Sequence, residues 1–157
     1  MTFVSTCDLY DEYEDALGVL PATLQDFGGR RRFQGTAVTV KCCEDNSRIK
    51  EFSVTPGKGR VLVVDGAGSL RCALLGDLIA KEFVAQGWEG VIIHGLIRDR
   101  EELSTLDLGV KALGSIPRKS TRRGEGQVDL PIRIGEAEIR PGDQVIADED
   151  GVVIKRD

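Results

Sequence analysis

The chain of 157 residues has few aromatics, 5% in all, and a single histidine, His94. Its four cysteines, Cys7, Cys42, Cys43 and Cys72, contain no Cys-x-x-Cys pair, so a zinc site built from cysteine and histidine is not expected. Cys42 and Cys43 fall next to one another on a candidate strand and so point to opposite faces; the expectation for all four is buried or half-buried free thiols in a reducing compartment. No apolar run approaches the roughly 18 residues of a membrane span. The start, Met-Thr-Phe-Val followed by acidic residues, lacks the features of a signal peptide, and the expected location is the cytoplasm. Positive charge is not in excess: 21 Lys and Arg face 26 Asp and Glu, a formal net charge of −5. Dedicated nucleic-acid binders carry a basic excess, so direct nucleic-acid binding is not expected. A serine nucleophile elbow and a P-loop are absent. With 41% apolar and 30% charged residues, the composition is that of a folded chain of one domain, spanning residues 1–157.

The 19 glycines punctuate a legible order of elements. Ser5 and Thr6 can cap a helix reaching about Leu17, ended by Gly18 and Pro21. Residues 36–42 are rich in β-branched side chains and read as a strand. Asn46 and Ser47 can start a helix to about Phe52. Residues 60–65 read as a buried strand, followed by a Gly66-Ala67-Gly68-Ser69 turn. A helix ending near Gly87 carries Leu78, Ile79, Phe83 and Val84 on its inner side, and residues 90–94 form a second buried strand. Strand, helix and strand in this order form a βαβ unit with a parallel pair. Residues 99–106 read as a short helix and 110–113 as a brief strand. Residues 116–126 read as a long polar loop. Beyond Gln127, short strands alternate with turns, and Asp150-Gly151 marks a hairpin. The expected fold is α/β, a central βαβ unit joined to a C-terminal antiparallel β region.

Three motifs carry possible chemistry. Asp65-Gly66-Ala67-Gly68 places Gly-x-Gly after a strand, but Arg71 stands where a dinucleotide fingerprint needs its third glycine. It reads equally as a backbone approach near a ligand or a neighbouring chain, or as a plain turn. Gly76-Asp77 interrupts an apolar stretch, which is resolved if the helix opens there with Gly76 near its N-cap. The amides of Gly76, Asp77, Leu78 and Ile79 would then form an anion site; the alternative is that Asp77 is an ordinary first-turn acid. Arg98-Asp99 follows the second strand at its C-terminal end, the sheet edge that hosts ligands in open parallel sheets. A guanidinium can clamp a carboxylate and the neighbouring carboxylate can hold a hard cation, although a surface ion pair would use the same residues. The basic run Arg118-Lys119-Ser120-Thr121-Arg122-Arg123 reads as a solvated loop or one reaching a neighbouring subunit, with contact to RNA or an acidic partner as the alternative. Arg30-Arg31-Arg32 is treated alike, and His94 is expected to pack or to contact a subunit rather than catalyse.

Gly76-Asp77, twenty residues, then Arg98-Asp99 resembles the pattern of the class II pyruvate aldolases acting on 4-hydroxy-4-methyl-2-oxoglutarate. The chain also resembles the regulator of ribonuclease activity A (RraA) group of that family, through Phe27-Gly28-Gly29-Arg30, Thr39-Val40-Lys41-Cys42, Glu44-Asp45-Asn46, residues 59–66, Trp88-Glu89-Gly90 and Pro141-Gly142-Asp143. The resemblance implies a swivelling β/β/α domain assembled as a homotrimer or a dimer of trimers, with sites between subunits. It implies that the amides of Gly76, Asp77, Leu78 and Ile79 hold a pyruvyl carboxylate and that Arg98 holds the substrate near its carboxylate and enolate oxygens. It further implies that Asp99 binds Mg²⁺ or Mn²⁺, and that Asp77 orients a metal-held water that takes the hydroxyl proton. Two activities are expected of such a chain. One is metal-dependent cleavage of 4-hydroxy-2-oxo acids to pyruvate, with decarboxylation of oxaloacetate, which yields the same enolate. The alternative is a protein-binding module that inhibits an endoribonuclease.

Overall fold

A computed structural model describes residues 2–157. Its main sheet is built around four parallel strands, Phe33–Lys41, Arg60–Asp65, Gly90–His94 and Gly109–Ala112. Antiparallel strands extend both sides. Gln144–Asp148 pairs with Phe33–Lys41, then Gly151–Lys155 and Gly18–Val19 follow outward, and Gln25–Asp26 closes the far edge. The hairpin expected at Asp150-Gly151 joins Gln144–Asp148 to Gly151–Lys155.

Alternation along the parallel strands sends side chains to two buried faces, which is why these segments read as continuous apolar runs. Leu62, Val64, Val91 and Ile93 meet Ile49, Ile79, Phe83 and Trp88 from the helical side. Val61, Val63 and Ile92 meet Ile134, Ile139, Val145 and Ile154 from the antiparallel region, which includes the small hairpin Ile132–Ile134 with Ala137–Ile139. The result is the expected β/β/α arrangement. Two facing glycines make room for the layer contact: Gly90 and Gly109 are register partners, and a Cβ on either would lie 2.4 or 2.2 Å from the Phe33 ring.

The helices are Thr6–Tyr13, Ser47–Ser53, Asp77–Ala85 and Arg100–Leu103, with a 3₁₀ turn at Glu14–Ala16. Ser5 caps the first through its hydroxyl, which accepts from the Asp8 amide at 3.1 Å. The second departs from expectation: Asn46 makes no side-chain cap, and the buried Asp45 carboxylate accepts the Ser47 amide at 2.9 Å instead. Leu78, expected on the inner side, is 73% exposed, because the helix begins at Asp77 and its buried stripe runs through Ile79, Ala80 and Phe83. The cysteine expectation holds for Cys42 and Cys72 and fails for Cys7 and Cys43, which are exposed. Cys43 lies just past the strand that ends at Lys41. Burial pushes the Cys42 thiol up to about 12, aided by nearby Asp45 and Asp65. The Gly66–Ser69 segment forms a turn in which the Asp65 carboxylate accepts the Ala67 amide and the Gly68 amide donates to the His94 carbonyl. Among the described residues no helix is long and apolar enough to cross a membrane.

Candidate active site

A second, short parallel sheet of Ala73–Leu75, Leu96–Ile97 and Gly114–Ser115 follows the central strands in sequence and builds the site. In it Leu75 is the register partner of Ile97, and the Arg98 amide donates to the Leu75 carbonyl at 2.9 Å. The register shifts once, between Ala73 paired with Leu96 and Leu75 paired with Ile97, and the strands leave the sheet at an offset of 22. The chain therefore leaves two neighbouring strands with Gly76-Asp77 and Arg98-Asp99 side by side, and the Asp77 amide donates to Asp99 Oδ2 at 2.9 Å across that offset of 22.

Gly76 is the N-cap of the helix Asp77–Ala85 and has no side chain to cap it. Asp99, reaching over from the adjacent strand, supplies the acceptor. This explains the residue type at 76: a Cβ there would stand 2.8 Å from Asp99 Oδ2 and 3.2 Å from Arg98 Cγ. Asp99 itself sits at φ 61°, ψ 47°, a left-handed conformation that Asp tolerates better than most residues. The helix end is thus partly engaged by the chain's own acids. Asp99 takes the Asp77 amide, and the Leu78 amide bonds to the Asp77 carboxylate. Burial works against ionisation of Asp77, but its contacts with Asp99, the Lys81 ammonium 3.4 Å away and the Leu78 amide outweigh it and hold the group below the usual carboxylate range.

These residues line a cleft of about 370 Å³, together with Leu75, Leu78 and Ile79. The sequence motifs missed its other wall: Asn46, Ala73, Lys119, Ser120 and Arg122. The loop at 118–123 is exposed apart from the half-buried Ser120, as expected, and its backbone is also tied to the body of the fold. The Ala73 amide donates to the Arg118 carbonyl, the Ser120 amide to the Ala73 carbonyl, and the Asn46 amide to the Thr121 carbonyl. Buried Asp45 accepts from the Arg123 amide and the Thr121 hydroxyl. Desolvation opposes its charge, but these bonds and those from Ser47 keep its pKa low. The one available signal was the clustering of basic residues in an acidic chain. The other basic run is spent on ion pairs: Arg30 with Glu89 and Asp107, and Arg32 with Glu149.

Arg98 stands out within the cleft. Its Nε is buried without a hydrogen-bond partner, the state of a donor built for an acceptor that comes from outside. The acid pair opposite offers only hard oxygen donors. Among the described residues no group of three His, Cys, Asp or Glu gathers to enclose a metal. A contacting carboxylate pair in a polar cleft still fits Mg²⁺ or Mn²⁺, which keep several waters and take one or two carboxylates plus a chelating substrate; it does not fit zinc.

A family model described as RraA-like, Aldolase/RraA, matches residues 6–154. A Pseudomonas syringae pv. tomato protein named "Putative 4-hydroxy-4-methyl-2-oxoglutarate aldolase" is 52% identical over 95% of this chain and 92% of its own. One of the same name from Alcanivorax borkumensis is 54% identical over 98% and 96%. The solved structure of the RNA-processing inhibitor RraA from Thermus thermophilis superposes with a TM-score of 0.94 at 42% identity, over 98% of this chain and 93% of that one. A Geobacillus kaustophilus structure described as an S-adenosylmethionine:2-dimethylmenaquinone methyltransferase gives 0.94 at 44%, over 97% and 94%. On the strength of this match, sustained across nearly all of the sequence, the chain belongs to the RraA-like family.

Proposed function

We propose that the cleft is the active site of a divalent-metal-dependent carbon–carbon lyase. It would cleave 4-hydroxy-2-oxo acids of the 4-hydroxy-4-methyl-2-oxoglutarate type to pyruvate and decarboxylate oxaloacetate. The observation that carries this reading is the convergence of an unpartnered, buried Arg98 Nε with a carboxylate pair at a helix N-terminus. The aldolase names of relatives near half identity support the same class.

Arg98 would take the substrate carboxylate and the oxygen that becomes anionic as the C–C bond breaks, its fixed charge lowering the barrier without reorganisation. The amides of Gly76 and Ile79, with those of Asp77 and Leu78 once their present acceptors turn, would complete the carboxylate cradle. Asp99 would hold Mg²⁺ or Mn²⁺, and the cation when bound supplies Lewis-acid stabilisation of the developing charge. Against burial, contacts with Asp99, Lys81 and the Leu78 amide hold Asp77 below the usual carboxylate range, and it would accept the proton of the substrate hydroxyl through a water. A homotrimer or dimer of trimers would bring a second copy to the cleft.

Pyruvate release from a panel of 4-hydroxy-2-oxo acids and oxaloacetate, with Mg²⁺ or Mn²⁺ and then with chelator, is the test. Chelator-sensitive turnover above the metal-only rate is expected, and its absence on every substrate refutes the lyase. A second reading is favoured by the likeness to the RNA-processing inhibitor RraA: a protein surface that docks on an endoribonuclease and slows it. A cleavage assay with purified ribonuclease and this protein decides that reading, since an unchanged rate removes it.

A further inference from the structure

We infer that Asp45 is a positioning residue of the cleft: it latches the segment 118–123 in place as a wall of the cleft, and that latch sets how tightly substrate is held. The inference rests on the lyase reading and deepens it. Asp45 is fully buried, and among the described residues no cation pairs with it. A buried carboxylate without a cation is costly, and a position that needed only packing would be filled more cheaply by an apolar side chain. Its two oxygens have different partners. Oδ1 accepts the Ser47 amide at 2.9 Å and so caps the helix Ser47–Ser53. Oδ2 serves the wall. The Arg123 amide donates to it at 2.6 Å, and the Thr121 hydroxyl lies 3.3 Å from it and 2.9 Å from the Glu44 carbonyl, with one proton to serve both.

The segment it holds carries no apolar side chain, and all of it but the half-buried Ser120 is exposed. Hydrogen bonds rather than packing therefore fix its place. The upstream half lies along Ala73, whose amide donates to the Arg118 carbonyl and whose carbonyl accepts the Ser120 amide. The downstream half hangs on the turn around Asp45. There the Thr121 amide donates to the Glu44 carbonyl, the Asn46 amide to the Thr121 carbonyl and the Gly124 amide to the Ser47 hydroxyl. Of these acceptors only Asp45 is charged, and hydrogen bonds to a charged acceptor are the strong ones. Lys119, Ser120 and Arg122 of the segment line the cleft, so releasing Oδ2 loosens the end of the wall that carries Arg122.

The wall carries its own probe, since trypsin cuts after Arg118, Lys119, Arg122 and Arg123 only when the segment leaves its place. Asp45→Asn keeps an oxygen for the Ser47 cap and turns an NH₂ toward the Arg123 amide, donor against donor. Cleavage within 118–123 should quicken about tenfold, the scale of one hydrogen bond to a charged group, while cleavage elsewhere is unchanged. KM for the 4-hydroxy-2-oxo acid turned over best should rise about tenfold with kcat within about threefold, a split that a loss of stability alone does not produce. Thr121→Val removes a donor from the wall side and leaves the helix cap intact, so it should move both readouts the same way by about threefold and keeps the test valid even if Asp45→Asn does not fold. Cleavage at the unaltered rate in the variants, cleavage that rises equally along the whole chain, or a KM that does not move overturns the inference. Absence of turnover in the unaltered protein refutes the lyase reading and the positioning role with it, and is distinct from failure of the latch because it precedes any substitution.

Discussion

Two substitutions at Asp99 separate its chemical role from its structural one. Asp99 Oδ2 caps the helix Asp77–Ala85 by accepting the Asp77 amide, and the residue sits at φ 61°, ψ 47°. Asparagine keeps a side-chain oxygen in the same place and tolerates the left-handed region, so Asp99→Asn should cost under about 1 kcal/mol. Alanine loses the cap, about 1 kcal/mol, and the local side-chain support for a left-handed backbone, about 1 kcal/mol more. The sum of about 2 kcal/mol corresponds to a fall in thermal midpoint of about 4–8 °C for a chain of this size. Both variants remove the negative charge that would attract a hard cation, so both should lose calorimetric Mg²⁺ binding and metal-stimulated pyruvate release. The signature is therefore two inactive proteins with different stabilities. An Asp99→Asn protein with full metal-stimulated turnover would refute the metal assignment, and an alanine variant as stable as the asparagine one would refute the capping argument.

Gly76→Ala should suppress turnover at least about tenfold while the chain stays folded, because its Cβ would stand 2.8 Å from Asp99 Oδ2 and must displace that carboxylate; steady-state kinetics with a circular-dichroism control checks it. Lys111, almost fully buried, bonds the Asp148 carbonyl at 2.6 Å and pairs with Asp26 at 3.2 Å. Lys111→Met should cost about 3 kcal/mol in urea unfolding by stranding Asp26, and Lys111→Met with Asp26→Leu should recover more than half of it. Burial opposes the charge of Asp148 and of Asp45, but hydrogen bonds outweigh it and lower both folded pKa values, with Thr6 and Asp150 serving Asp148, and Ser47, Arg123 and Thr121 serving Asp45. Stability from a lowered carboxylate pKa is complete above the unfolded value and lost as pH falls through the folded one, so the thermal midpoint should hold down to about pH 5 and decline below about pH 4. Asp148→Asn should flatten that acid limb.

The parts of the site legible in the sequence were those fixed by local chemistry and by the pairing of neighbouring strands. Gly76 announced a helix start because glycine inside an apolar helix is costly, and the helix does begin at Asp77. The Gly76-Asp77 to Arg98-Asp99 spacing was readable because parallel pairing of Leu75 with Ile97 preserves it in space. The short sheet that performs this pairing was not readable: Ala73–Leu75 and Leu96–Ile97 are too brief to show a period of two. Nor could sequence show that Asp99 caps a helix twenty-two residues away, or that Asp45 rather than Asn46 caps Ser47–Ser53. The first bond exists only once the strands are in register, whereas the second is local, between residues two apart. Leu78 turns outward because the buried stripe of that helix runs through Ile79, Ala80 and Phe83, each about 100° or more from it around the axis.

Net charge says little about the cleft for a related reason. A sum of −5 describes the field many ångströms from the surface, but screening removes that field beyond about 8 Å at physiological ionic strength. Inside the cleft the charges that count are those left over after local pairing. Glu44 is taken by Arg71, Glu82 by Lys50, Asp107 by Arg30 and Asp143 by Arg156, so many of the acids are neutralised where they stand. The cleft retains Arg98, Lys119 and Arg122 facing Asp77 and Asp99. An acidic chain can therefore present a pocket suited to an anion and a hard cation together, and this follows from the order in which its strands bring charged residues side by side rather than from how many of each it contains.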